Sequence, residues 1–121
     1  MKVLASVVTY NRLNLLKRCI KHIKNQTRPV DDLLIINNSS TDGTNEYLNL
    51  EKINNIKQIN SGSAGGWHTA INYAISKNFD FIWLMDDDGY PDDNSLKKLL
   101  NHYQNNYACI SSLVIDELNN N

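Results

Sequence analysis

Phe81-Ile82-Trp83-Leu84-Met85 runs without a break into Asp86-Asp87-Asp88: five apolar residues, then three carboxylates. The pattern of an apolar run closed by a polar cluster recurs upstream. Val3 to Val8 ends at Thr9-Tyr10-Asn11, Leu33 to Ile36 ends at Asn37-Asn38-Ser39, and Ile56 to Ile59 ends at Asn60-Ser61-Gly62. Such runs, rich in β-branched residues at Val3–Val8, are what strands buried on both faces require. A further run, Tyr107 to Ile115, reads as a fifth strand, before a frayed polar tail at Asn119-Asn120-Asn121.

Helical patterns fill the spaces between. Leu13, Leu16, Ile20 and Ile23 share one face, and Thr27-Arg28-Pro29 stops that helix. Ser39-Ser40-Thr41-Asp42-Gly43 is turn and cap chemistry leading into a short helix through Tyr47 and Leu48. Ser61-Gly62-Ser63-Ala64-Gly65-Gly66 opens a third helix with Trp67, Ala70, Ile71, Ala74 and Ile75 on its inward stripe. Pro91-Asp92-Asp93 starts a fourth, the two acids acting as its cap, with Leu96, Leu99, Leu100 and Tyr103 inward. Alternating β and α elements predict an α/β fold: a mostly parallel sheet with helices on both faces.

The 121 residues fit one domain, and 41% hydrophobic residues suffice for a core. A net charge of -1 leaves no footprint for nucleic acid or anionic lipid. Arg12, Lys17, Arg18, Lys21 and Lys24 lie mostly along the first helix, as its solvated side. Cys19 and Cys109 form no CxxC pair and read as small buried hydrophobes, in keeping with a reducing cytoplasm. The N-terminal apolar run is too short for a signal peptide, and no stretch reaches transmembrane length.

In open α/β sheets ligands bind beyond the carboxyl ends of the strands, so the four polar clusters should converge on one rim. Adjacent carboxylates repel one another unless something positive sits among them. Side chains alternate in an extended segment, so Asp86 and Asp88 face one way and Asp87 the other. Two hard oxygen ligands on one side suit Mn²⁺ or Mg²⁺ shared with substrate phosphates. Away from a strand end the same run would be a solvated turn; at this edge the ligand reading is favoured. Gly62, Gly65 and Gly66 match neither standard phosphate-loop pattern. They allow close backbone approach to a ligand, or simply a tight strand-to-helix turn. His68, His22 and His102 read as solvent-facing, and Trp67 and Trp83 as packing residues.

Four ordered motifs, Ser6-Val7-Val8-Thr9-Tyr10-Asn11-Arg12, Ile36-Asn37-Asn38-Ser39-Ser40-Thr41-Asp42-Gly43-Thr44, Asn60-Ser61-Gly62-Ser63-Ala64-Gly65-Gly66 and Trp83-Leu84-Met85-Asp86-Asp87-Asp88-Gly89-Tyr90-Pro91, resemble family 2 glycosyltransferases of the GT-A fold. The NxGxAGG and WLMDDD segments point to the branch with galactofuranosyl- and rhamnosyltransferases. The resemblance implies that residues 1–118 form the nucleotide-sugar-binding part of such a domain. It implies a UDP- or dTDP-linked sugar donor, a divalent cation, inversion at the anomeric carbon, and a glycan or lipid-linked acceptor. It places Thr9, Tyr10 and Asn38 at the nucleoside, Arg12 near the phosphates and Asn11 within the nucleotide-sugar site. Asn60, Gly62, Gly65 and Gly66 complete the donor site, Asp86 and Asp88 hold the metal, and Asp86 and Asp87 contact the donor. The lipid-linked polymers built by many relatives suggest a cytoplasmic enzyme at the inner membrane face, in cell-wall polysaccharide synthesis. Relatives often carry Asp where this chain has Asn37-Asn38, which leaves base preference open. The family's catalytic base lies in the second half of the domain and has no match here; Asp116 and Glu117 fit no base motif.

Three other functions compete. A phosphoacceptor receiver places its acidic pair after the first strand and a Lys after the fifth, where this chain has Thr9-Tyr10-Asn11 and Asp116-Glu117. A nucleotidyltransferase needs a basic glycine-rich loop where this chain has Tyr10-Asn11-Arg12-Leu13. A truncated, non-catalytic sugar-nucleotide-binding module would keep the donor residues and lack the base.

Overall fold

A computed structural model describes residues 1–103 of the chain. The expected fifth strand, Cys109, Asp116, Glu117 and the polar tail lie outside the described residues. Among the described residues, four parallel strands form the sheet, in the order β3-β2-β1-β4. Strand β1 (Val3–Thr9) is central and buried at all seven positions. It pairs with β2 (Asp32–Asn37) on one side and β4 (Phe81–Asp86) on the other. A receiver would place its third strand beside the first. Here β3 (Asn54–Lys57) pairs with β2, which removes that reading.

Each face of the sheet has its own helical cover, because side chains alternate along a strand. Ala5, Val7 and Ile35 point to α1 (Leu13–Lys24), whose Leu16, Cys19, Ile20 and Ile23 close that layer together with Leu48. Each large aliphatic so buried contributes about 1.5–3 kcal/mol. Leu48 comes from α2 (Thr44–Leu50). Asp42 joins the starts of the two helices: its carboxylate accepts the Leu13 N–H at 3.0 Å and the Thr44 hydroxyl at 2.6 Å. Gly43, at φ 92, makes the left-handed turn into α2.

Helix α3 (Gly62–Ser76) covers the opposite face, over Leu4, Val8, Leu34 and Ile36. Its contact line is Gly66, Ala70 and Ala74, spaced i, i+4, i+8. The expected stripe is corrected here: Ile71 and Ile75 are 40% and 68% exposed, while Trp67 packs at the edge of the layer. Small residues let the helix come close to β1, and that approach turns the two isoleucines outward. Strand β3 likewise begins earlier than its apolar run and ends at Lys57, leaving Ile59 86% exposed.

Helix α4 spans Ser95–Asn101 and buries Leu96. Asp92 and Asp93 do not cap it with their side chains; Asn94 holds the cap position without a side-chain bond. Their main-chain carbonyls instead accept from Gln26 Nε2 at 2.6 Å and the Thr27 N–H at 2.8 Å. Gln26 Oε1 in turn accepts the Leu96 N–H at 3.1 Å, so a buried amide joins the end of α1 to α4. Among the described residues, no helix is long and apolar enough to cross a membrane.

Candidate functional site

Strand order reverses between β1 and β4, since β2 and β3 lie to one side of β1 and β4 to the other. A crevice at the carboxyl ends is the geometric consequence. An open cleft of about 280 Å³ lies there, lined by Val8, Thr9, Tyr10, Arg12, Asn38, Asn60, Gly62, Ser63, Asp86, Asp87 and Asp88. All four polar strand ends contribute to it.

The acidic run is sorted by burial. Asp87 is 4% exposed, whereas Asp86 and Asp88 are exposed on the cleft wall. Asp87 Oδ2 accepts the Thr9 hydroxyl at 2.9 Å, and its Oδ1 takes Arg12 Nη1 at 3.4 Å. Burial pushes the Asp87 carboxyl above the ordinary carboxylate range. The Thr9 hydroxyl, the Arg12 charge and the Tyr10 N–H pull the other way, and neighbouring Asp88 adds to the rise. Asp86 Oδ1 takes a bond from the Ser63 hydroxyl at 3.2 Å. Among the described residues, the Asp88 carboxylate accepts no hydrogen bond; only its main-chain oxygen does, from Arg18 Nη2 at 3.2 Å. Below this turn sits Cys19, whose thiol is pushed up to about 12 by burial and then by the charges of Asp87 and Asp88, Arg18 opposing.

On the far wall, Asn38 is 2% exposed and its amide is used at both ends. Its Oδ1 accepts Gln58 Nε2 at 3.3 Å, and its Nδ2 donates to the Gly62 carbonyl at 3.4 Å. Thr69 holds Gln58 from behind through a 2.7 Å bond to Oε1. Tyr10 is half exposed at the mouth. Asn60 Oδ1 accepts the Gly62 N–H at 3.0 Å and so shapes the entry to α3. Gly62 has φ 78, a left-handed conformation that excludes most side chains, and brings the first turn of α3 to the cleft.

Three expected site residues lie outside the cleft lining. Asn11, at φ 51, joins two loops: its N–H donates to Ser40 Oγ at 3.0 Å, and its Oδ1 accepts the Thr41 N–H at 2.6 Å. A Cβ at Gly66 would stand 2.7 Å from a Val8 methyl, and one at Gly65 would run into Ser61 Oγ. These two glycines serve packing. Conversely, Ser63 and Gln58 were not singled out from the sequence. Ser63 sits inside the glycine segment, where its first-turn position was the available signal. Gln58 lies just past the end of β3 at Lys57, inside an apolar run that continues to Ile59.

Comparison with known proteins adds the following. Residues 5–121 match the family model described as glycosyl transferase family 2. Galactofuranosyltransferase GlfT1 of Mycolicibacterium smegmatis (strain ATCC 700084 / mc(2)155) is 31% identical over 101 residues, covering 81% of this chain and 33% of that protein. The chain thus spans about a third of the length of such relatives. The mannosyltransferase PcManGT from Pyrobaculum calidifontis, solved with GDP-Man and Mn²⁺, superposes with a TM-score of 0.72 at 23% identity, over 82% of this chain and 31% of that one. TarS of S. aureus superposes at 0.71 with 21% identity, over 84% of this chain and 19% of that one. A complex of TarS with UDP superposes at 0.61 with 23% identity, over 84% and 31%.

Proposed function

Because the chain belongs to glycosyl transferase family 2, we propose that its cleft holds the nucleoside diphosphate of a sugar donor, for transfer to a glycan or lipid-linked acceptor. One observation carries the reading: two solvent-facing carboxylates, Asp86 and Asp88, share a cleft at the strand-order reversal with Thr9, Tyr10, Arg12, Asn38, Asn60 and Gly62. Such crevices take nucleotides in open parallel sheets. That PcManGT was solved in complex with GDP-Man and Mn²⁺, and TarS in complex with UDP, on a similar fold supports the reading.

Each wall has a task in this reading. Tyr10 offers a ring face to the base, and Asn38 keeps one N–H and one lone pair beyond its bonds to Gly62 and Gln58, without charge. The exposed guanidinium of Arg12 lies beside Asp87 at the cleft edge, within reach of phosphate oxygens. The Ser63 amide in the first turn of α3 favours negative charge, the Gly62 amide being bonded to Asn60. Asp87, spent on Thr9 and Arg12, holds the frame, with the donor ribose or sugar above it.

The acidic turn fits a divalent cation. Asp86 and Asp88 are both exposed and both line the cleft, and the Asp88 carboxylate has no competing bond among the described residues. Oxygen ligands of this kind suit Mn²⁺ or Mg²⁺. Such an ion, when bound, neutralises charge on the departing diphosphate as a Lewis acid.

Transfer with inversion requires an acceptor hydroxyl to approach the anomeric carbon opposite the diphosphate, and a base to take its proton. Within the described lining of the cleft, Asp86 and Asp88 are committed to the ion and Asp87 to the frame. Donor binding is therefore the task proposed for residues 1–103; the base comes from elsewhere in the working enzyme. The alternative of a binding module without transfer shares this site and differs only in activity with an acceptor.

A thermal-shift panel of UDP- and dTDP-sugars, with and without Mn²⁺, tests the reading on the chain and on Asp88→Ala. The expected result is a shift that needs both nucleotide and metal and is absent in the variant. Equal shifts with and without metal, or in both proteins, would overturn it.

A further inference from the structure

The acidic turn outruns its sheet. The β1–β4 register ends at Val8 opposite Asp86, so no strand pairing reaches Asp88. One internal bond, from the Gly89 N–H to the Asp86 carbonyl at 3.0 Å, closes the turn. Asp87 is anchored to β1 through Thr9. What orients Asp88 comes from the other side, from α1.

Arg18 reaches up from α1 and does two things with one planar group. Its Nη2 donates to the Asp88 carbonyl at 3.2 Å, and the guanidinium carbon lies 4.0 Å from the centroid of the Tyr90 ring. His22, one helical turn further along α1, meets the same ring at 5.7 Å with a tilt of 58°. Tyr90, two residues past the exposed acid, is thus bracketed by Arg18 and His22, and the acid's own carbonyl is tied to Arg18. The bond goes to the main chain, which leaves the Asp88 carboxylate open to a cation. Among the described residues Arg18 Nε is buried without a partner, so packing over Tyr90 carries much of the fit. A lysine could supply the charge and one donor, but no plane to stack while donating.

We propose that Arg18, clamped on Tyr90, is a positioning residue that fixes the Asp86–Asp88 turn in the shape its carboxylates need to share a divalent cation with the donor diphosphate. This rests on the donor reading above. Arg18 touches neither donor nor cation; it acts through Asp88.

The test is calorimetric titration of the chain with UDP, GDP and dTDP, with and without Mn²⁺, carrying the tightest nucleotide forward to Arg18→Gln, Arg18→Lys, Tyr90→Leu and Asp88→Ala. Tyr90 is exposed, so its replacement is a second route to the clamp that spares α1. Arg18→Gln and Tyr90→Leu are expected to bind about tenfold more weakly in Mn²⁺, with metal-free affinity unchanged and Arg18→Lys in between. A loss of equal size with and without metal would mean general structural support and would overturn the positioning role. Full metal dependence retained in Arg18→Gln and Tyr90→Leu, but lost in Asp88→Ala, would overturn the clamp and leave the donor reading standing. No nucleotide binding, or no metal dependence in the unmodified chain, would remove the donor reading and this proposal with it.

Discussion

Thr9 and Asp87 meet where their strands end: the Thr9 hydroxyl donates to Asp87 Oδ2 across 2.9 Å, and the two residues are 1% and 4% exposed. The bond joins the carboxyl ends of β1 and β4 at the point where a crevice must form. By turning the middle carboxylate inward, it turns Asp86 and Asp88 outward to the cleft. The alternation expected of an extended segment does not continue here: Asp87 and Asp88 lie in a turn closed by the Gly89 N–H on the Asp86 carbonyl, and that turn together with Thr9 sets the inward carboxylate.

Thr9→Val keeps the shape and removes the donor. A hydrogen bond to a charged group contributes about 1.5–3 kcal/mol, so the variant should lose stability of that order, read as a lower urea midpoint with unchanged slope. Arg12→Gln should cost less than about 1 kcal/mol. Its contact to Asp87 is 3.4 Å, the Arg12 side chain is 55% exposed, and such pairs contribute little. Equal losses would mean that Arg12, and not Thr9, holds the acid.

Gly66→Ala should push α3 off the sheet. The added carbon would lie 2.7 and 2.8 Å from the two Val8 methyls, with the Val8 Cβ at 3.3 Å, and Val8 sits in the packed layer. Overpacking costs about 1–3 kcal/mol, partly offset by about 1 kcal/mol of helix propensity gained over glycine. A net fall in Tm is expected, and Gly66→Ala with Val8→Ala should recover part of it. A stabilised single variant would show that α3 stands further from β1.

What was legible follows from which residues announce themselves. The Val3–Val8 run could be read because a central strand must be apolar on both faces, and Leu16, Ile20 and Ile23 because α1 meets the sheet through large side chains. The buried line of α3 is hidden in the sequence because the helix meets the sheet through glycine and alanine, which carry little hydrophobic signal. Strand β3 was set late because an edge strand needs backbone pairing more than apolar content: Asn54 and Asn55 pair with Leu34 and Ile35. The cleft's strand-end residues were visible as polar clusters. Arg18 was not, since a basic residue on an amphipathic helix reads as solvated until its partner 70 residues away is placed.

Asp31→Asn should cost stability at neutral pH and little at acid pH. Asp31 Oδ2 accepts the Val3 N–H at 2.7 Å and Arg28 Nη1 at 3.1 Å, tying the approach to β2 onto the start of β1. The Val3 N–H, followed by the Arg28 side chain, holds its carboxyl below the ordinary 3.8. A carboxylate depressed on folding contributes stability above its unfolded pKa and loses it as pH falls through the folded value. The gap in Tm between the two proteins should therefore be a few degrees at pH 7 and close below about pH 4. A gap that widens in acid would contradict the assigned bonds.

Neighbouring positions on α3 should respond in opposite ways to the same substitution. Ile75 is 68% exposed and Ala74 is 6% exposed, although hydrophobicity alone would bury the isoleucine first. Ile75→Glu changes a solvent-facing position and should fall within about 0.5 kcal/mol of the unmodified chain. Ala74→Glu forces an unpaired carboxylate into the layer formed with Leu4, Leu34 and Ile36. A buried charge left without a partner costs about 3–5 kcal/mol, a large share of the stability of a domain this size. Urea unfolding of the two variants reads the helix's rotation about its own axis directly. If Ile75→Glu were the damaging one, α3 would be turned by about 100°, one residue's rotation, and Gly66 would no longer face Val8.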